Sequence, residues 1–163
     1  MQKVKKIIGN IFQDETLAQE FATNDPSRKT ILMSRHELEK TRQKQKSTDG
    51  TSIGISLDEQ KKIRHGDVIE GDGLHVLVKQ LPEMIVTINL STLAPKFLVT
   101  MGHMIGNLHK PISLSEDTVS IPVRSDIEVD LIRTMFRDFV DPTLIVLQEK
   151  IFEPNKSLDV HEH

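Results

Sequence analysis

The sequence contains no cysteine, no tryptophan and no tyrosine, and phenylalanine, its only aromatic residue, occurs six times. Without thiols the chain forms no disulfide, no CxxC zinc site and no cysteine nucleophile, and the same lack fits a reducing cytoplasm. A chain so poor in aromatics offers no platform on which bases would stack. The formal net charge of −3 points away from nucleic acid too, because phosphate contacts call for a basic surface. No basic-then-apolar leader opens the chain, since Lys5 and Lys6 are followed only by Ile7 and Ile8. No apolar run approaches the roughly 20 residues that span a bilayer. The expectation is a soluble, cytoplasmic protein without nucleic-acid or membrane partners. Signatures of catalysis are equally scarce. There is no GxSxG elbow and no HExxH pair, and Gly71-Asp72-Gly73 lacks the further glycine and the helix of a phosphate loop. A non-enzyme is expected.

What is present is enough for a core: 163 residues, 37% hydrophobic and 28% charged. The first half reads as short strands. Val4 to Phe12 is a strand broken at Gly9, and residues 13–34 read as irregular, with a loop at Asn24-Asp25-Pro26-Ser27. Glu39 to Lys46, the turn Asp49-Gly50 and Ser52 to Leu57 form one hairpin; Asp67 to Glu70, Gly71-Asp72-Gly73 and Leu74 to Lys79 form another. Arg42, Lys44 and Lys46 alternate and so share one strand face, which most simply is solvated. Residues 1–80 are therefore predicted as a small all-β domain, with Leu81-Pro82 as a hinge.

The second half changes period. Met84, Val86, Ile88 and Leu90 alternate as one face of a strand. Leu93, Phe97, Met101, Met104, Ile105 and Leu108 make a helical stripe over 92–108, with Pro95 tolerable in the first turn. Pro111 to Leu114 is extended, and Val119, Ile121 and Val123 alternate, with Pro122 demanding an edge or a bulge. Ser125 to Glu128 reads as a capping box opening a helix that buries Ile127, Leu131, Ile132, Met135, Phe136 and Phe139. Leu144 to Leu147 is a last strand. The order β-α-β-β-α-β predicts a ferredoxin-like domain over residues 81–152, making the whole chain α+β. Residues 153–163 are polar and aperiodic, a mobile tail.

Seven histidines remain. Neutral imidazole suits nickel, zinc or copper, and a thiol-free donor set fits those ions. His109 closes the first helix of the second domain, where its simplest role is a cation at the helix C-terminus. His161 and His163 flank Glu162 at the chain end; on an extended backbone they point apart, so a shared metal requires the chain to bend. His103 lies on the polar face of its helix, and His36, His65 and His75 read as structural, His65-Gly66-Asp67 being turn chemistry.

Gly106-Asn107-Leu108-His109-Lys110-Pro111 resembles the GNRHxP segment of the urease accessory nickel metallochaperones. Further matches are Thr51 to Leu57 after an Asp-Gly turn, Arg64-His65-Gly66-Asp67-Val68, and Phe152-Glu153-Pro154 before a histidine-bearing tail. The resemblance runs from about Arg42 onward. It implies a chaperone-like, peptide-binding-type first domain and a ferredoxin-like metal-binding second domain. It also implies a homodimer in which His109 meets its twin on the two-fold axis, with His161 and His163 as tail ligands. Implied partners are the urease apoenzyme and its accessory proteins, including a GTPase, and the implied cargo is Ni2+, with Zn2+ or Cu2+ able to use the same site. Two departures stand out: Leu108 replaces the family's arginine, and the place five residues before the central histidine holds Met104, with His103 one step off, so no ligand role passes to His103. A general zinc or copper buffer, a peptide-binding adaptor with incidental metal, and an enzyme using His109 as a base are the competing readings.

Overall fold

Two Asp-Gly steps organise the first half of the chain. At Asp72-Gly73 both residues adopt positive φ, +47° and +74°, the combination a two-residue type I′ turn requires. They join β6 (Asp67–Gly71) to β7 (Leu74–Gln80) as an antiparallel hairpin. At Asp49-Gly50, glycine again takes positive φ, +87°, and β4 (Arg42–Lys46) folds back on β5 (Ser52–Ser56). The computed structural model describes residues 1–57 and 61–155. It divides into two compact units, one of residues 1–81 and one that begins at Pro82.

In the first unit, β1 (Gln2–Val4) runs parallel to β5, giving a three-stranded sheet in the order β1-β5-β4. A four-stranded sheet has the order β2-β6-β7-β3, with β2 at Lys6–Asn10 and β3 at Arg28–Met33. The β2–β6 register shifts between Ile7 and Gly9, so the predicted interruption is a bulge. One core joins the sheets: Val4, Ile53 and Ile55 from the smaller, and Ile31, Met33, Ile69, Val76 and Val78 from the larger. Each such side chain, fully removed from water, contributes roughly 1.5–3 kcal/mol.

The expected irregular stretch 13–34 is instead ordered. It holds α1 (Glu15–Glu20) and the six-residue β3, which pairs in parallel with β7. Asp14 starts α1 by accepting the Thr16 and Leu17 N–H groups, and Leu17 joins Val68 and Leu77 in a second small cluster. A second helix, α2 (Arg35–Leu38), has the reciprocal capping box of Ser34 and Glu37. The first unit is therefore β-rich with two short helices, not all-β.

The second unit contains, in chain order, β8 (Glu83–Asn89), α3 (Pro95–Gly106), β9 (Ser113–Leu114), β10 (Thr118–Pro122), α4 (Asp126–Phe136) and β11 (Ile145–Lys150). The sheet order β11-β8-β10-β9, antiparallel at every pair, places the unit's four strands as 4-1-3-2. That is the ferredoxin-like arrangement. Helix α3 is shorter than its apolar stripe suggests and begins with Pro95 at a position where the missing N–H costs nothing. Pro122 does not put β10 at an edge. Ladder bonds Val123 N–H to Met84 C=O and Leu90 N–H to Asp117 C=O direct the Pro122 nitrogen away from β8, toward the side where β9 has already ended at Ser113.

Helix α4 and the turn after it direct Ile132, Met135, Phe136 and Phe139 to the core as expected, but the helix departs at two positions. Val129, Ile132 and Phe136 are buried, while Ile127 is 81% and Leu131 50% exposed. At about 100° per residue, Ile127 and Leu131 lie roughly 160° round the helix from Val129. On β8, Met84 is exposed, unlike Val86 and Ile88. The start of the expected tail is held in place: past the buried Phe152, Asn155 N–H donates to the Ile112 carbonyl (3.1 Å), and the Asn155 carboxamide oxygen accepts from Leu114 N–H.

Candidate metal centre

Met101 and Ile105 anchor α3 on the sheet, and the helix runs out at Asn107. The last turn tightens: Leu108 N–H bonds to the Ile105 carbonyl (3.0 Å) and His109 N–H to that of Gly106 (3.2 Å). His109 itself has φ +49°. A left-handed conformation costs an L-residue roughly 1–2 kcal/mol, so the turn holds a bulky residue where glycine is usual.

The residue that follows is pinned. Lys110 Nζ pairs with Glu128 Oε2 (2.6 Å) and donates to the Pro122 carbonyl (3.1 Å). Glu128 Oε2 also accepts from Arg124 N–H (2.8 Å). The Lys110 ammonium first, and the Arg124 N–H second, hold the Glu128 carboxyl below its ordinary range. The end of α3, the end of β10 and the start of α4 thus meet at one carboxylate. Sequence reasoning paired Glu128 with Ser125. Ser125 Oγ does accept the Glu128 N–H (3.4 Å), but the carboxylate reaches one residue further back.

The His109 side chain is exposed and makes no hydrogen bond or ion pair with the described residues. Two other histidines differ. His65 Nδ1 accepts the Gln80 N–H (3.0 Å) and its ring lies 5.1 Å from that of Phe12. His75 Nδ1 meets Glu20 Oε2 at 2.9 Å, beside the Arg28–Glu20 pair at 3.0 Å. Both are structural in this fold. His36 and His103 are exposed. His161 and His163 lie outside the described residues.

Among the described residues, no three His, Asp or Glu side chains are grouped to hold a metal ion. The described residues therefore bring none of the predicted ligands together. His109 stands alone, fixed in backbone and open in side chain. Also among the described residues, no helix is long and apolar enough to cross a membrane. Lys110 and Glu128 are the residues the sequence did not single out. The only signal for them was a capping pattern that pointed Glu128 to a different donor.

Residues 4–78 match the family described as UreE urease accessory protein, N-terminal domain. A urease accessory protein UreE of Streptococcus vestibularis is 29% identical over 137 residues, covering 82% of this chain and 86% of its own. Those of Natronomonas pharaonis and Yersinia pestis are each 27% identical, over 132 and 130 residues; the matches cover 77% and 74% of this chain, and 61% and 55% of theirs. The chain is similar over most of its length to the UreE urease accessory proteins, and the match to their N-terminal domain falls within its first unit.

Proposed function

We propose that this protein carries nickel during urease maturation, with the metal held by His109 of two protomers and by the tail histidines His161 and His163. The observation that carries the reading is His109 itself: an exposed imidazole with no side-chain partner among the described residues, on a turn fixed from both sides. One such imidazole binds a metal weakly. A two-fold contact is self-complementary, so a residue near the axis supplies two ligands. Tail imidazoles add ligands that can detach, which opens coordination positions for the recipient. That recipient is the urease apoprotein with its accessory proteins, the GTPase among them. No step in this requires a bond to be made or broken in a substrate, so no reaction is assigned.

Calorimetric nickel titration of wild type, His109→Ala and a chain truncated after Leu158 tests the reading. Tight binding that disappears with His109 and weakens with truncation is expected. Equal binding in all three variants would overturn it. Parallel titrations with zinc and copper separate delivery of nickel from general buffering, which predicts no preference beyond the intrinsic order of the ions.

A further inference from the structure

The outer face of the sheet β1-β5-β4 is cationic and carries no acidic residue. Along β4, Arg42, Lys44 and Lys46 are exposed while Gln43 and Gln45 point inward. The glutamines are occupied there: Gln43 Nε2 donates to the Glu37 and Lys40 carbonyls (2.7 and 2.9 Å), and Gln45 Nε2 to the Glu37 carboxylate (3.0 Å). Registers set Arg42, Lys44 and Lys46 opposite Ser56, Gly54 and Ser52, and Lys3 on the far side of Gly54. The cations therefore stand over a row of small residues. None of the three strands contains Asp or Glu.

Elsewhere in the fold, lysines find carboxylates, as Lys29 does with Asp49 and Lys110 with Glu128. Among the described residues, no carboxylate lies within ion-pair distance of Lys3, Arg42, Lys44 or Lys46. Asp72 approaches β1 only to accept the Lys3 backbone N–H (2.7 Å). Successive cations of β4 sit two residues, or about 7 Å, apart, so they repel one another until an anion arrives. A shallow open hollow of about 570 Å³, lined by Met1, Lys44, Gln45, Lys46 and Ser52, lies here. β4 is also the terminal strand of its sheet; just past its end the far edge meets β3, where Ile31 bridges Ser47 and Thr48 N–H donates to the Thr30 carbonyl (2.8 Å), which leaves Arg42 to Gln45 as the stretch for pairing.

We propose that this face docks an extended, acidic protein segment, added as a strand along β4, with carboxylates at every second residue. The match is one of period. Side chains on one face of an added strand recur every two residues, as the cations do, and opposite charges directly across a strand pair attract. Main-chain bonds to the edge at Arg42 to Gln45 supply affinity and the alternating carboxylates supply selectivity. The proposal does not depend on the nickel reading.

The test uses the full chain and two fluorescent heptapeptides of equal composition, Thr-Glu-Thr-Glu-Thr-Glu-Thr and Thr-Thr-Glu-Glu-Glu-Thr-Thr. The alternating peptide is expected to bind at least about fivefold tighter at low salt and to weaken as salt screens the contacts. Lys44→Glu with Lys46→Glu should abolish that binding and switch preference to the alternating Thr-Lys peptide, with the far-UV circular dichroism unchanged. A Lys44→Gln, Lys46→Gln protein should show the loss without the switch. Equal binding of both acidic isomers, or none, would reduce the lysines to guards against edge-to-edge association and overturn the proposal. Tighter binding to a single-stranded oligonucleotide or to phosphatidylserine vesicles would overturn it as well.

Discussion

Glutamine at position 128 would remove the charge that ties three elements together beside His109. In the native protein the Glu128 carboxylate takes the Lys110 ammonium at 2.6 Å and the Arg124 N–H at 2.8 Å. The paired side chains are 21% and 31% exposed. Hydrogen bonds to charged groups contribute about 1.5–3 kcal/mol when shielded, and exposed pairs about 0–1 kcal/mol; partial exposure puts this pair near 1 kcal/mol. Glu128→Gln keeps an oxygen for Arg124 N–H, so about 1 kcal/mol is the expected loss. Lys110→Met keeps most of the apolar stem and should cost the same. The double variant should cost little more than either single, giving a coupling of about 1 kcal/mol. Urea unfolding followed by far-UV circular dichroism measures this in a chain without Trp or Tyr, fitted as two transitions if the units separate. The pH dependence has a definite sign. Glu128 is depressed from its ordinary 4.5, so the contribution is fully present above that value and is lost as pH falls through the lower folded value. Costs that simply add, with coupling below about 0.3 kcal/mol, would refute the junction.

The α4 face gives a sharper contrast: Ile127→Ser should change stability by less than about 0.5 kcal/mol and Ile132→Ala should cost about 2–5 kcal/mol, and similar values in chemical denaturation would reverse the assigned face. Gly66 has φ +85°, and a Cβ there would meet the Phe12 ring at 2.5 Å; Gly66→Ala should cost about 1–3 kcal/mol in thermal unfolding, and a neutral result would contradict the tight turn. In the first unit, Glu37 is depressed by Gln45 and then by the Ser34 N–H, and Asp49 by Lys29 and then Ser47. Depressed carboxylates stabilise above their ordinary range and lose that effect below it, so stability should fall from about pH 4.5 downward, and Glu37→Gln should flatten the fall; an unchanged acid profile in that variant would argue against the contribution.

The parts legible in the sequence were those fixed by local chemistry. Asp49-Gly50 and Asp72-Gly73 announce hairpins because few other residues tolerate positive φ. The strand and helix periods of the second unit are long enough to give its element order. β3 was hidden because its pairing is parallel and reaches β7 more than forty residues on, and α1 because Leu17 is its one buried residue. On α4 and just after it, Ile132 and Phe136 are buried and Met135 and Phe139 pack against the core as expected, whereas Ile127 and Leu131 were misplaced because, with Met135, they form a second apolar stripe beside Val129-Ile132-Phe136. Spacing alone does not say which one meets a sheet. His109 could be picked out as the end of a helix, whereas its support by Lys110 and Glu128 depends on β10 and α4 arriving beside it. The Asn155 anchor on β9 was invisible for the same reason, being a contact between distant segments.

The most direct measurement is native mass spectrometry of the protein titrated with nickel, repeated on His109→Ala. A shared site predicts a dimer that takes its first tight nickel as one ion per two chains and loses that species in the variant. One ion per chain on a monomer, or a loaded dimer that persists without His109, would contradict it.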